Sequence, residues 1–450
     1  MAPSTFTIHA GVYFDAPAKA FKDNVSIVVD PGTGAIVDVV QRDSRSADIK
    51  AGDIDLRYRI VMPGFVDAHT HIFLHAYRYV ALLQISLQCI THTNNHSETP
   101  AQVQMRDESI IERTVRATRH CRQALLSGYT TYRDLGTEGM RSFDANLRDT
   151  INRGLLPGPR LFVATECLTT SGSYAVRSEN TFNGTSAPPI SDVCDGIDSV
   201  RAAVRRRVGA GADLIKFYAD YRRSALRTPA GSLFPPTTSG STVMFTQEEM
   251  NAIVSEARLA HLPVACHAST DLGVRMASLA GVDTIEHGND ASDAALEAMR
   301  RNNTIFVPTL AVTETLRPGQ VGDAQKQAKK AWDMGVRFAA GGDTGAFNHG
   351  EGAREMELLL QAGLPVEDVL EACMVGGWES CGRDLCGHRF GWFEKGNRAD
   401  IIALETDPRA DQNALRKVSF VMKDAKVWKR DGIPVGFIDE VMKDAGQQTR

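Results

Sequence analysis

The middle of the chain alternates strand-like and helix-like segments, and this pattern restricts the possible folds more than any other feature. Short runs of β-branched and other apolar residues are separated by segments that are mostly long enough for a crossover helix. The strand candidates are residues 61–69, 129–135, 160–166, 213–219, 263–268, 283–287, 304–310 and 336–342. Eight such units are what a closed (β/α)8 barrel requires. The alternative is a doubly wound open sheet, because spacing alone does not determine strand order.

Two of the intervening segments carry clear helix signals. Thr246-Gln-Glu-Glu249 has the pattern of a capping box ahead of an amphipathic run. Residues 110–126 are periodic until Gly128, which is typical of a helix end. The sequence therefore predicts helices at both places.

The two ends of the chain are strand-like without helical periodicity. The candidate strands before the middle are 5–8, 11–14, 25–29 and 35–40, and those after it are 400–404, 418–422 and 426–428. A chain of 450 residues is also long enough for two domains. We therefore predict an α/β protein with a composite β-sandwich domain of residues 1–62 and 391–450 and a barrel of residues 63–390.

Composition excludes several kinds of partner. The formal charge of -5 has no long run of one sign behind it, and the single basic cluster, Arg205–Arg207, lies in a helical pattern, so nucleic acid is not expected to bind. No apolar stretch reaches the roughly 18 residues that a membrane span needs. The eight cysteines are scattered, which favours reduced thiols and a cytoplasmic protein. Four Asn-x-Ser/Thr tripeptides leave open a secreted protein whose signal peptide has been removed.

Residues that can bind a metal ion stand at the ends of the strand candidates. His69 and His71 are two residues apart on the first one, so their side chains project to the same side. His267, His287 and Asp343 end three later strands. Each alone could be an ordinary polar residue, and Asp343 could cap a helix. Because a barrel gathers the carboxyl ends of its strands at one rim, their joint placement favours a metal site.

Lys216 lies in the middle of an otherwise apolar strand, on the same face as Tyr218. Burying an ammonium group without a partner is costly, so this lysine must be paired, deprotonated or modified.

The order of these residues resembles the metal-dependent amidohydrolase superfamily. Val61-Met-Pro-Gly-Phe-Val-Asp-Ala-His-Thr-His71 and the stretch 396–404 resemble the two signatures that flank its members. Lys216-Phe-Tyr-Ala-Asp220 and Thr284-Ile-Glu-His-Gly288 resemble the branch that contains relatives of imidazolonepropionase, Xaa-Pro dipeptidases and ochratoxin-hydrolysing amidohydrolases. The resemblance covers nearly the whole chain.

The resemblance implies a barrel enzyme with two divalent metal ions, expected to be zinc. It assigns His69, His71 and Asp343 to one ion and His267 and His287 to the other. Lys216, carbamylated by carbon dioxide, would bridge both ions. Asp343 would move the proton, and Tyr218 would donate a hydrogen bond to the oxyanion or to a substrate carboxylate. A purely space-filling role for Tyr218 is the alternative.

The expected activity is hydrolysis of an amide bond in a small molecule by a hydroxide that the two metal ions activate. Ester, lactone or organophosphate hydrolysis on the same site is the enzymatic alternative, in secondary metabolism or detoxification. A metal-free scaffold that assembles with partners is the alternative outside the enzymes. Relatives with this architecture are often homo-oligomers, although no interface can be located in the sequence.

Further residues are expected around the pocket. Long connections are usually functional, so segments 72–108 and 167–198 are predicted to form its walls. The candidate substrate contacts are Tyr221, Arg222 and His349, with His75, His92 and His96 as further pocket candidates. Arg133 and Asp134 are expected to form an internal ion pair, and Cys266 is expected in the core.

Overall fold

A computed structural model describes residues 5–76, 101–173, 189–222 and 241–436. The strands are β1 (Phe6–Asp15), β2 (Ala20–Asp30), β3 (Ala35–Gln41), β4 (Ile54–Pro63), β5 (Phe65–Thr70), β6 (Tyr129–Asp134), β7 (Arg160–Val163), β8 (Cys167–Thr169), β9 (Ser191–Val193), β10 (Ile215–Tyr218), β11 (Asp220–Arg222), β12 (Ser241–Val243), β13 (Val264–Ala268), β14 (Thr284–His287), β15 (Ile305–Val307), β16 (Arg337–Phe338), β17 (Ile401–Leu404), β18 (Val418–Lys423), β19 (Lys426–Arg430) and β20 (Ile433–Pro434).

The α-helices are α1 (Ala101–Asp107), α2 (Ile110–Leu126), α3 (Phe143–Asn152), α4 (Ile197–Gly209), α5 (Gln247–Leu259), α6 (Asp271–Ala280), α7 (Asp293–Arg301), α8 (Leu310–Leu316), α9 (Val321–Asp333), α10 (Ala353–Gln361), α11 (Val366–Glu371) and α12 (Gly377–Ser380). A π-helical turn, Ala372–Gly376, joins α11 to α12. Short 3₁₀ turns lie at Pro318–Gln320, Arg383–Cys386 and Ala414–Arg416. Across the described ranges, no helix combines the length and the apolar character that crossing a bilayer requires.

The two predicted helix signals are both confirmed. The Thr246 side chain accepts a hydrogen bond from the Glu249 backbone, and the Glu249 side chain accepts one from the Thr246 backbone, which completes the capping box of α5. Helix α2 ends at Leu126, and Gly128 follows with a φ of 94°. A left-handed φ costs glycine nothing, so the chain can turn there into β6.

Strands from both ends of the chain form one eight-stranded sheet in the order β20-β19-β18-β17-β4-β1-β2-β3. The runs predicted at 5–8 and 11–14 belong to a single strand, β1, and not to two. The register of β1 with β4 shifts between Ala10 and Val12, and a Cβ at Gly11 would lie 2.1 Å from the Arg57 carbonyl oxygen. Glycine at this bulge lets the strand continue.

The eight predicted strand positions of the middle region are occupied by β5, β6, β7, β10, β13, β14, β15 and β16. All neighbouring pairs among them that are hydrogen-bonded in sheets run parallel. The third position is broken: β7 pairs with β6, and its continuation, β8, pairs with β10. These pairings place the carboxyl ends of the strands at one rim.

Hydrogen bonds between the first and last strand positions close the ring. The Ala68 backbone nitrogen donates to the Ala340 oxygen at 2.9 Å, and the Thr344 nitrogen donates to the His69 oxygen at 3.1 Å. A Cβ at Gly341 would lie 2.5 Å from the His69 nitrogen, so only glycine allows this close approach. The molecule is a (β/α)8 barrel with a small β domain, and an open doubly wound sheet is excluded.

A charge cluster with a buried centre connects the barrel to the terminal sheet. Arg160 of β7 donates to Asp400 at 2.7 Å and to Asp424 at 2.6 Å. Asp424 also accepts from Arg398 at 2.6 Å. Asp400 belongs to the second of the two flanking sequence signatures, 396–404. Through its ion pair with Arg160, this aspartate links the terminal sheet to the barrel.

Candidate active site

His69 and His71 face the same carboxylate at the carboxyl end of β5. Their Nε2 atoms lie 3.6 Å and 3.2 Å from Asp343 Oδ1. The Nδ1 atom of His69 donates to Glu286 Oε2 at 2.9 Å, and that of His71 donates to the Gly136 carbonyl oxygen at 2.8 Å. Because each Nδ1 proton is committed to an acceptor, the Nε2 atom of each ring is directed into the site. The predicted projection of both side chains to one side is confirmed.

Asp343 follows the Gly341–Gly342 pair in a left-handed backbone conformation, with a φ of 63°. The turn is held because Thr344 donates from its hydroxyl to Asp67 Oδ2 at 2.7 Å. Burial raises the pKa of Asp343, but the imidazoles of His69 and His71 together lower it well below its usual value. The side chain is therefore a carboxylate, available as a ligand or as a proton acceptor.

His267 and His287 add two more imidazoles from the neighbouring strands β13 and β14. Their ring centroids are 4.4 Å apart, and those of His69 and His287 are 5.3 Å apart. Burial lowers the pKa of His287 to about 3 and that of His267 well below its usual value, so both rings are neutral and can offer a lone pair. Donor atoms of His69, His287 and Asp343 all lie within 4.8 Å of one another, which is a spacing that suits a metal ion.

Lys216 of β10 is 2% exposed, and its Nζ has no hydrogen-bond partner among the residues that the structure describes. In the pairing of β10 with β13, Lys216 is opposite Ala265 and Tyr218 is opposite His267. An unpaired ammonium at such depth is strongly disfavoured. Conversion to a carbamate would replace this cation with an anionic oxygen ligand, so the donor set fits a metal site.

Tyr218 and Tyr221 both lie beside His267. The ring centroid of Tyr218 lies 5.3 Å from that of His267, and the centroid of Tyr221 lies 5.1 Å from it. Tyr218 is buried, whereas Tyr221 is half-buried. Arg222 ends β11 beside them, but its side chain is not among the described groups. The two tyrosines are therefore placed beside the candidate metal ligands.

Two other predicted pocket histidines support the segment after β5 instead. His349 is 3% exposed, stacks on His120 with centroids 4.2 Å apart, and donates from Nε2 to the Leu74 oxygen at 2.9 Å. The Nε2 atom of His75 lies 2.7 Å from Glu108 Oε1. Because His349 is enclosed in this packing, the structure argues against its predicted substrate contact.

Two predicted pocket features fall largely outside the described residues. Residues 77–100, which include His92 and His96, and residues 174–188 of the predicted pocket walls lie outside the described ranges. Cys266, by contrast, lies in the core as predicted.

Comparison with known proteins assigns the family. The model of the amidohydrolase family matches residues 60–429, which is most of the chain. The chain belongs to the amidohydrolase family. Ochratoxinase from Aspergillus niger is 26% identical over 356 residues, covering 71% of this chain and 69% of that protein. Imidazolonepropionase from Porphyromonas gingivalis is 23% identical over 364 residues, covering 78% of this chain and 76% of that protein.

Solved structures agree with this assignment. A crystal structure of an Xaa-Pro dipeptidase with bound methionine in the active site is 29% identical, has a TM-score of 0.74, and covers 95% of this chain and 100% of that one. The predicted superfamily and branch are confirmed. The protein is an amidohydrolase that acts on C–N bonds of the amide type, in a family whose members are generally metal-dependent.

This amidohydrolase also contains site residues that the sequence did not single out. The predicted ion pair between Arg133 and Asp134 is wrong: Arg133 pairs with Glu286 at 3.2 Å, and Asp134 accepts from the Ile72 backbone at 2.6 Å. Successive residues of a strand point to opposite faces, which separates Arg133 from Asp134. The available signal was Glu286 itself, a carboxylate inside an apolar strand next to His287.

Proposed function

We propose that the protein hydrolyses the amide bond that links an acyl group to a carboxyl-terminal amino acid, in a small N-acyl amino acid or dipeptide. Two divalent metal ions, expected to be zinc, would be bound at the barrel rim. The observation that carries the proposal is the buried amine of Lys216, which has no hydrogen-bond partner among the described residues and interacts electrostatically with the imidazoles of His69, His267 and His287. A simple structural lysine would have a partner at that depth.

The ligand assignment follows the resemblance to the amidohydrolase family. His69, His71 and Asp343 would hold one ion, and His267 and His287 the other. Lys216 would react through its neutral amine with carbon dioxide, forming an N–C bond and releasing one proton, and the resulting carbamate would contact both ions. The close spacing of His69, His287 and Asp343 supports a compact site in which the two ions are neighbours.

The bound ions would supply a water molecule of lowered pKa and polarise the substrate carbonyl. Asp343, which lies between the two halves of the site, would take the proton from that water and transfer it to the leaving amine. Tyr218 would donate a hydrogen bond from its phenol to the oxygen on which negative charge develops. The buried position of Tyr218 supports this role, because a hydrogen bond is stronger where water is excluded.

The carboxylate of the substrate would be bound by Tyr221 and Arg222. A guanidinium group matches a carboxylate with two parallel hydrogen bonds, and both residues follow β10, beyond Tyr218. The names of the relatives support this substrate class: one is an Xaa-Pro dipeptidase, crystallised with the amino acid methionine in its active site. Another is a putative prolidase from Bifidobacterium longum, 25% identical with a TM-score of 0.69.

The test is a matched substrate panel with the zinc-loaded protein. Each N-acyl amino acid and each Xaa-Pro dipeptide is paired with its carboxamide, and simple esters, lactones and a phosphotriester complete the panel. We expect release of the free amino acid, with kcat/KM at least about tenfold lower for each carboxamide because a charged hydrogen bond is lost.

Other results would replace the proposal. Turnover of esters, lactones or the phosphotriester alone would favour the alternative hydrolase. A protein that binds no metal and cleaves nothing in the panel would favour a scaffold that works through partners. The cytoplasmic location and the homo-oligomer expected from the sequence stay predictions.

A further inference from the structure

We propose that Glu286 is a positioning residue that fixes the tautomer of His69, and that Arg133 determines which end of the residue-286 side chain faces that histidine. This inference rests on the proposed function, because it assumes that His69 binds a metal ion. It concerns residues that contact neither substrate nor metal.

The geometry around Glu286 assigns its two oxygens different tasks. The residue is fully buried, and its Oε2 accepts from His69 Nδ1 at 2.9 Å. Its Oε1 accepts from Arg133 Nη1 at 3.2 Å and from the Thr284 hydroxyl at 2.5 Å. One oxygen is therefore committed to donors from the barrel wall, and the other keeps the proton of His69 on Nδ1.

Arg133 can only donate hydrogen bonds in this network. It is fully buried, donates from Nη1 also to the Ala68 oxygen at 3.0 Å, and donates from Nη2 to the Thr284 hydroxyl at 2.6 Å. A guanidinium group has donors only. Whatever atom of residue 286 faces Arg133 must therefore be an acceptor.

This constraint gives Glu286→Gln an unusual consequence. The amide oxygen of the glutamine must occupy the Oε1 position to accept from Arg133, so the amide nitrogen occupies the Oε2 position and points a donor at His69. The ring then accepts at Nδ1, carries its proton on Nε2, and has no lone pair for a metal ion. The substitution at residue 286 thus removes the lone pair of its direct neighbour, His69.

The experiment measures zinc and cobalt affinity of the metal-free proteins by competition with a chelator. We expect Glu286→Gln to bind one equivalent about 10–100-fold more weakly than wild type, the range found when a partner of a metal-binding histidine is lost. The double variant Glu286→Gln with Arg133→Met frees the amide to turn its oxygen toward His69, so its affinity should exceed that of Glu286→Gln. A merely structural role would make the double variant worse.

A control variant is available, and failure of this inference can be distinguished from failure of the proposed function. Glu371→Gln is the matched control, because Glu371 is also a buried partner of an arginine, Arg337 at 2.6 Å, but lies on α11; its metal affinity should equal that of wild type. Wild-type affinity in Glu286→Gln, or no gain in the double variant, overturns the inference. A wild type that binds no metal overturns the proposed function instead.

If a variant fails to fold, the tautomer of His69 can still be measured directly in the wild type. In metal-free wild type labelled with ¹⁵N-histidine, the resonances of His69, assigned with His69→Gln, should show a protonated Nδ1 and an unprotonated Nε2. The opposite tautomer would overturn the inference.

Discussion

Lys216 is the residue whose loss should separate folding from function most clearly. Its Nζ is buried without a partner among the described residues, so Lys216→Met removes a costly group and fills the same space with apolar atoms. We expect the metal-free variant to have a Tm equal to or above that of the metal-free wild type, while bound metal and activity fall by more than about tenfold. Metal analysis and thermal unfolding of the same preparations measure both effects, and a variant with its full metal content would exclude the bridging role.

Asp343→Asn tests proton transfer without disturbing the backbone. Asparagine tolerates the left-handed conformation that Asp343 adopts, so the turn should be preserved. We expect kcat to fall about 100–10,000-fold, the usual contribution of a general acid or base, with at least one metal ion retained. Steady-state kinetics on variants of measured metal content give the answer; a wild-type kcat would remove Asp343 from the proton pathway.

Residue-scale prediction from the sequence succeeded where one strand carries its own signal. The spacing of His69 and His71 is enough to put both on one side, and the apolar neighbours of Lys216 are enough to mark it as unusual. Sequence reasoning missed Glu286 and mispaired Arg133 because the two are 153 positions apart. A pairing of that kind is decided by the closed ring and leaves no local pattern.

Among the contacts between elements, the one between β7 and the terminal sheet should be the most sensitive to a single substitution. Arg160→Met leaves the buried Asp400 without its charged partner, whereas the half-buried Asp424 keeps Arg398 and Lys423. Breaking a buried pair in this way costs about 3–5 kcal/mol. Urea unfolding should show that loss in the free energy of unfolding. Arg389→Met is the control: its pair with Asp384 is exposed, so it should leave the free energy of unfolding close to that of wild type.

The same cluster predicts how stability depends on pH. Burial raises the pKa of Asp424, but Arg160, Lys423 and Arg398 together lower it well below its usual value of 3.8. Because the folded-state pKa is below the unfolded one, the stabilisation is complete above about pH 5 and is lost progressively as the pH falls toward the folded-state pKa. Urea unfolding of the metal-free protein should show this loss, and Asp424→Asn should have a shallower dependence. Equal slopes for the two proteins would contradict it.

The ends of helices and strands were predictable where the sequence nearby signals them. They were not predictable where pairing with another strand determines them. The box at Thr246 and the glycine after α2 fixed their helices correctly. The break between β7 and β8 and the short β16 were not foreseen. Their pairing partners belong to other parts of the chain, so no local sequence pattern marks where these strands end.

For the whole molecule, bound metal ions should stabilise the barrel by linking several of its strands. Their candidate ligands come from β5, β10, β13, β14 and the segment after β16, so binding connects strands around the ring. We expect chelation to abolish activity and to lower the Tm, since a ligand present at about 1,000 times its Kd contributes about 4 kcal/mol. Thermal scans with chelator, and again after zinc is restored, provide the measurement. An unchanged Tm with full activity would contradict the metal site.

Asp343 stands at the seam where the last strand position meets the first, between the hydrogen bonds that Ala340 and Thr344 make to β5. A chain that has folded every strand but has not yet joined its two edges would lack a correctly placed proton acceptor. Turnover would then begin only with the final closing step. In a refolding experiment, recovered catalysis would therefore report completion of the cylinder rather than formation of its parts.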